Sequence, residues 1–203
     1  AFAILTIGCG EKKSDGVNID ELEDREGVAY LKNSDSPYTG KCFDFHENGQ
    51  KETEMTFKGG KMDGPRVTWH ENGQKETEVN FKDGKEDGLL VSWYENGQKV
   101  GEGNFKGGEM DGPAVWWYEN GQKGAEGNYK DGKRDGPRVT WHENGQKELE
   151  ENYKDGKEDG LSVLWHKNGQ KKAEGNFKDN ELISGKFWNS KGEEVDSMAE
   201  ADQ

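Results

Sequence analysis

Between about Thr39 and Asp179 the chain alternates apolar and polar residues in short runs, and glycine-containing doublets separate the runs. The stretch from Pro65 to Gly88 is representative. Val67 and Trp69 are the apolar positions of a first run, Glu-Asn-Gly-Gln follows, and Thr77, Val79 and Phe81 mark a second run before Lys-Asp-Gly-Lys-Glu-Asp-Gly. Strict alternation over so few residues predicts half-buried β-strands, and glycine recurs too densely for a 3.6-residue helical period. Asn-Gly and Asp-Gly between alternating runs are strong hairpin signals. The tetrapeptide Asn-Gly-Gln-Lys begins at Asn48, Asn72, Asn96, Asn120, Asn144 and Asn168, a spacing of 24 residues each time. A degenerate copy, Asn189-Ser190-Lys191-Gly192, follows one residue early. Such fixed periodicity decides the fold before any single residue does. The pattern predicts an all-β chain, an elongated single-layer antiparallel meander of tandem 24-residue β-hairpins.

A register follows from keeping apolar residues together, because directly paired residues share a face of an antiparallel sheet. A three-residue loop, Glu71-Asn72-Gly73, pairs Trp69 with Lys75 and Val67 with Thr77. It predicts a type I turn with a glycine bulge at Gly73 and at Gly49, Gly97, Gly121, Gly145 and Gly169. In this register Val, Trp and Phe gather on one face. That candidate binding face comprises Trp69, Trp93, Trp117, Trp141, Trp165, Phe81, Phe105, Tyr129 and Tyr153, with Lys75 and its equivalents beside the Trp row. The opposite face carries Glu54, Glu78, Glu102, Glu126, Glu150 and Glu174. The second turn, around Asp83-Gly84 to Asp87-Gly88, reads as longer and its register stays open. In later units Gly103, Gly127 and Gly175 replace Val79, which leaves space for a ring to lie on the backbone.

Composition supports a thin architecture. Only 29% of residues are hydrophobic and 34% are charged, with 30 glycines, so a thick two-layer core is excluded. Seven Trp, six Tyr and eight Phe at regular positions argue against a solvated coil. The net charge of -14 excludes a basic nucleic-acid footprint and electrostatic docking on anionic lipid.

Candidate chemistry is sparse. His46, His70, His142 and His166 fall in one column, with Tyr94 and Tyr118 in the middle units. Equivalent residues lie two strands apart, roughly 9.5 Å, too far for one zinc ion to bridge. The Asp pairs Asp83 with Asp87 and Asp155 with Asp159 do not have calcium-loop spacing and are explained by turn formation. No Ser or Cys nucleophile motif occurs, so neither a catalytic residue nor a cofactor is expected. Trp116 departs from a column of Thr68, Ser92, Thr140 and Leu164; with Tyr94 and Tyr118 it forms an alternative aromatic patch suited to a glycan or choline group. Cys42 reads as a free surface thiol.

The start, Ala-Phe-Ala-Ile-Leu-Thr-Ile-Gly-Cys-Gly, is similar to the end of a bacterial lipoprotein signal, with Cys9 as the residue to be acylated. Residues 1–9 are then a signal remnant and residues 10–26 an acidic tether. The repeat domain spans 27–192, and 193–203 forms an acidic, frayed tail.

The repeat itself resembles the MORN-repeat variant of bacterial proteins labelled YwqK-type antitoxins. The residues that carry the resemblance are aromatic-x-Glu-Asn-Gly-Gln-Lys, a Glu-rich strand, and aromatic-Lys-Asp-Gly-Lys-x-Asp-Gly, in six copies. Gly27-Val28-Ala29-Tyr30-Leu31-Lys32 and Tyr38-Thr39-Gly40-Lys41 are similar to the family's opening segment. The resemblance implies a curved single-layer sheet used as a scaffold or binding surface. Three functions are therefore expected: an envelope lipoprotein presenting an interaction surface to an unknown protein, a cytoplasmic antitoxin-like binder of a toxin, or a glycan-binding repeat. The apolar face must curl, self-associate or meet a partner.

Overall fold

The computed structural model describes residues 16–202. Its strands are β1 (Gly16–Asn18), β2 (Leu22–Arg25), β3 (Val28–Leu31), β4 (Gly40–Phe45), β5 (Lys51–Lys58) and β6 (Lys61–Trp69). Next come β7 (Lys75–Lys82), β8 (Lys85–Trp93), β9 (Lys99–Lys106), β10 (Glu109–Trp117), β11 (Lys123–Lys130) and β12 (Lys133–Trp141). The last are β13 (Lys147–Lys154), β14 (Lys157–Glu158), β15 (Gly160–Trp165), β16 (Lys171–Lys178), β17 (Glu181–Trp188) and β18 (Glu194–Val195), before the short helix α1 (Met198–Ala201). From β4 onward each strand pairs with its sequence neighbour in one open antiparallel meander, as the repeat predicts; β14 is a short piece paired to β13.

Two turn types alternate. At one edge Gly73 takes φ 81° and its amide donates to the His70 carbonyl at 2.8 Å, giving the three-residue loop expected there. Trp69 pairs with Lys75. At the other edge the loop is tighter than the sequence suggests. Asp83 (φ 50°) and Gly84 (φ 82°) alone connect Lys82 to its partner Lys85. Two consecutive positive φ values define a type I′ turn, whose twist suits a hairpin. Gly88, with φ 115°, lies inside β8, where it marks an irregularity in the ladder.

The register departs from expectation two residues past the first loop. Trp69 pairs with Lys75, but Thr68 pairs with Thr77, so Glu76 is an extra residue and β7 carries a bulge. The other five Asn-Gly loops are followed by the same shift, and the last loop, before β18, is not. The consequence is a change of face. Val67 now pairs with Glu78, Arg66 with Val79 and Gly64 with Phe81. Because a one-residue slip moves a whole side-chain set across the sheet, the Trp row lies with the Glu row, and the Phe81 row lies on the other side. The single binding face expected for Trp69, Trp93, Trp117, Trp141 and Trp165 together with Phe81, Phe105, Tyr129 and Tyr153 is thus two faces. The first, with Trp, Lys, Glu and Val rows, is the ladder face. The second, with the Phe81, Val79 and Thr68 rows, is the variable face.

Fully buried residues concentrate on the midline of the variable face: Cys42, Val79, Ala114 and Glu151 are 0%, 2%, 1% and 3% exposed. Small midline residues are roofed by larger neighbours. A Cβ on Gly103 would meet Met110 Cε at 3.2 Å and Phe105 at 4.0 Å, and one on Gly175 would meet Leu182 Cδ1 at 2.6 Å. An aliphatic chain, more than a flat ring, fills the space these glycines leave.

Within the described residues, the segments on either side of the repeats are more ordered than their composition suggests. Of residues 10–26, expected as a tether, 10–15 lie outside the described residues and 16–26 fold as a cap. β1 adds in parallel to β4, Asn18 caps a 3-10 turn (Ile19–Glu21), and β2 pairs with β3. The cap is tied to the first unit by Ala29 N–H to Gly60 O (2.8 Å) and Gly60 N–H to Tyr38 O (2.7 Å). At the far end, β18 pairs with Phe187 and Trp188 of β17. The tail then turns back as α1, capped by Ser197, with Ala201 1% exposed. Cys9 lies outside the described residues. Among the described residues no helix is long and apolar enough to cross a membrane.

Candidate functional site

The ladder face is built from one contact set repeated in each unit. A lysine Nζ meets the glutamate three residues on and stands over the indole of the next unit. Lys51, Lys75, Lys99, Lys123 and Lys147 contact their glutamates at 2.5–2.7 Å, and Lys171 contacts Glu174 in the same way. The same ammonium groups lie 5.3–5.8 Å from the ring centroids of Trp69, Trp93, Trp117, Trp141, Trp165 and Trp188. Lysine therefore covers the following unit's ring, not the ring directly paired with it. Each exposed ion pair is worth about 0.2–1 kcal/mol, and each exposed cation–π contact about 0.5–1 kcal/mol. The value of the row is its repetition across every unit junction. In the first unit Glu54 meets both Lys41 and Lys51. Burial alone would raise its carboxyl, but the two ammonium groups outweigh that and hold it below the usual glutamate range.

The loop edge is laced in the same direction. The histidine column is structural. His46, His70, His142 and His166 donate through Nε2 to the carbonyl of the next unit's Trp at 2.7, 2.9, 3.3 and 3.0 Å. Tyr94 and Tyr118 do so through their hydroxyls at 3.0 and 2.7 Å. Asn72 accepts from its own unit's Gln74 amide at 2.9 Å and donates to Glu95 O at 2.8 Å in the next unit. A left-handed φ favours glycine after the turn Asn. At Gly97 φ is +82°, and a Cβ would stand 2.6 Å from Gln74 Oε1 of the preceding unit. Asp63, Asp111 and Asp135 accept from the amides of Asp83, Asp131 and Asp155. Among the described residues no group of three or more His, Cys, Asp or Glu side chains is placed to hold a metal ion.

The variable face differs from unit to unit. The row of Arg66 reads Cys42, Arg66, Leu90, Ala114, Arg138, Ser162. Its partner row reads Met55, Val79, Gly103, Gly127, Glu151, Gly175. Cys42, expected at the surface, is buried here, and burial together with Asp44 pushes its thiol up to about 11. That keeps it protonated and unreactive at neutral pH. Trp116 lies on this face between Gly101 and Ala125, 36% exposed, with its ring 6.3 Å from that of Tyr129 at 68°. The expected patch of Trp116 with Tyr94 and Tyr118 changes character, because both tyrosine hydroxyls are committed to carbonyls of the next unit.

Units five and six hold the densest polar cluster, which the sequence reading missed. Glu151 accepts from Arg138 Nη1 and, at 3.0 Å, from the Tyr153 hydroxyl. Arg134 donates to Tyr153 Oη at 3.2 Å and lies 5.2 Å from that ring's centroid. Burial, then hydrogen bonding to Glu151 and its charge, raises the Glu158 carboxyl above its ordinary range, and Arg134 and Arg138 oppose the rise. Burial and the Glu151 charge raise the Tyr153 hydroxyl as well. The signal was Glu151, a carboxylate in a row of Met, Val and Gly, and its place opposite Arg138 is visible only in the observed register.

The geometry defines a class: an open hairpin-repeat sheet, with one face spent on holding units together and the other free to vary. The MORN repeat variant model matches residues 38–58, 62–83, 86–106, 110–131, 134–155 and 158–179, and the chain belongs to this family. A search of curated proteins returns no match. The family places the chain among repeat scaffolds and binding modules.

Proposed function

We propose that the chain is a non-catalytic scaffold that presents its variable face to a protein partner and is held at a bacterial cell envelope by a lipid on Cys9. The observation that carries the first part is internal to the molecule. The ladder rows keep Lys, Glu and Trp through successive units, whereas the Arg66 and Val79 rows change in nearly every one. A surface whose only task is joining units repeats its residues, and a surface that reads a partner differs along its length. The anchor is supported by the run Ala1 to Gly10 alone.

A photo-crosslinking residue placed at Arg66 or Leu90 reports on the variable face, and one at Asn80 or Asn104 on the ladder face. In the native host, adducts to one protein from the first pair only are expected; adducts from the second pair only, or equally from both, overturn the assignment. Mass spectrometry of the mature N-terminus tests the anchor separately. A diacylated Cys9 is expected, and an unmodified chain retaining Ala1 to Gly8 removes it. The antitoxin-like reading uses the same face with a toxin as its occupant, and rescue of a toxic neighbouring gene by co-expression distinguishes it.

A further inference from the structure

On the variable face between β13, β15, β16 and β17 lies a cavity of about 230 Å³, roofed by Met198 of α1. Leu149, Leu164, Phe177, Leu182 and Phe187 form its apolar walls; Glu151 and Glu158 line it too, as does Glu174, which is paired with Lys171. No lysine or arginine lines it. The volume falls below the usual range for drug-sized ligands, about 300–1,000 Å³, and suits a short chain or a single ring. Met198 is 39% exposed, so the roof is thin.

The acidic lining has an unusual balance. Glu151 is 3% exposed, and both of its donors, Arg138 and the Tyr153 hydroxyl, converge on Oε1. Glu158 pairs with Tyr153, two residues along β13 from Glu151, and both carboxylates line the cavity. Two carboxylates lining one apolar cavity favour a cation in it. Of the nearby guanidinium groups, Arg138 contacts Glu151 and Arg134 donates to the Tyr153 hydroxyl, and neither lines the cavity. We propose that this cavity is a binding site for a primary amine on a short apolar chain, its ammonium meeting the carboxylates of Glu151 and Glu158 and its chain lying along Leu149, Leu164 and Leu182. The amine is either a free small molecule or the lysine side chain of a partner; only the second source rests on the variable face being the protein-docking surface.

The test titrates the full chain with hexylamine, hexan-1-ol and Nα-acetyl-lysine amide, reading the Met198 methyl resonance. Saturable hexylamine binding is expected, with hexan-1-ol at least ten-fold weaker. Glu158→Gln should weaken hexylamine at least ten-fold, and Leu164→Trp, which fills the cavity, should abolish binding. Stronger binding of the lysine amide than of hexylamine assigns the site to a partner's lysine, and the reverse assigns it to a free amine. Equal binding of alcohol and amine, or an amine response that spreads over the Glu rows without saturating at Met198, overturns the proposal. Folding of Glu158→Gln is checked in the same preparation. A carboxyl raised by burial stabilises the fold while protonated and costs stability once pH passes its folded value. The variant should therefore melt above the parent at pH 8 and with it at pH 4. Failure of the amine arms leaves the crosslinking result untouched, so the two readings fail separately.

Discussion

The two faces of one sheet are made from the same strands and obey different rules. On the ladder face, Lys75, Glu78 and Trp93 recur in kind as Lys99, Glu102 and Trp117, then as Lys123, Glu126 and Trp141. On the variable face, Arg66 opposite Val79 becomes Leu90 opposite Gly103, then Ala114 opposite Gly127, then Arg138 opposite Glu151. A single-layer sheet has no second layer to bury against, so its units must be joined within the layer. The ladder face and the loop edge carry that work through cation–π, ion-pair and side-chain-to-carbonyl contacts to the next unit. The midline of the variable face has only to be filled, and it accepts Cys42, Val79, Ala114 or Glu151. Constancy along the chain therefore marks cohesion, and variation at positions that stay accessible, such as Arg66 and Leu90, marks the surface free for recognition.

Removing an indole from the ladder face puts the largest load on this comparison. Trp117→Ala takes away a half-buried ring and the contact it makes with Lys99. Full core truncations of Trp cost about 3–5 kcal/mol, so for this ring a loss of about 2–3 kcal/mol is expected in urea unfolding. Trp93→Ala should cost nearly the same, because its surroundings repeat. A wide disparity between the two would break the claim that ladder contacts are equivalent from unit to unit.

Next come the loop glycines, where strain and contact to the preceding unit can be separated. Gly49 and Gly97 both have φ +82°, but a Cβ at Gly49 meets nothing within 4 Å, whereas at Gly97 it meets Gln74. Gly49→Ala should lose about 1–2 kcal/mol to left-handed strain. Gly97→Ala should lose somewhat more, and Gln74→Ala in the same chain should erase the excess. Equal losses would mean that the glutamine contact between units contributes nothing.

How far this division was legible in the residues depends on the element. The 24-residue period, the meander and the left-handed Gly73 follow from Asn-Gly spacing and strand alternation. The faces do not. The bulge residue is Glu76 in one unit and Val100, Gly124, Glu148 or Lys172 in others, so no residue type announces it. A parity argument through an unseen bulge inverts every side chain beyond it. Asp83-Gly84 and Asp87-Gly88 are identical doublets, yet one is the turn and the other lies within the strand. Local sequence cannot choose between them, because both satisfy the same backbone preference. The ordered segments flanking the repeats were more readable than composition allowed. Asn18 with Glu21, and Ser197 with Glu200, have the spacing of helix-start caps. The acidity of both segments hid that signal.

A smaller effect tests the loop edge. Tyr118→Phe keeps the ring and removes the 2.7 Å hydrogen bond to Trp141 O. A loss of about 1 kcal/mol is expected for a half-buried neutral bond, measured by thermal melting. An unchanged melting point would reduce the His/Tyr column to simple packing.

The smallest predicted effect comes from the neighbour of the residue with the largest. Trp116 and Trp117 are consecutive, of the same type, and on opposite faces of β10. Trp117 is joined to Lys99 across a unit junction, whereas Trp116 stands over Gly101 with only its edge toward Tyr129. Trp116→Thr installs the residue that Thr68 and Thr140 place in the same row, where both are buried. The ring contact with Tyr129 is worth at most about 0.5–1.5 kcal/mol, and threonine's preference for strands offsets part of it. The net loss should stay under about 1 kcal/mol, well below that of Trp117→Ala under the same conditions. Binding should show the opposite order: with Trp116→Thr, adducts formed from Leu90 on the variable face should fall while the melting temperature holds. If Trp116→Thr instead unfolds the chain as readily as Trp117→Ala, the variable face carries cohesion too, and unit-to-unit constancy no longer separates the surface that joins from the surface that recognises.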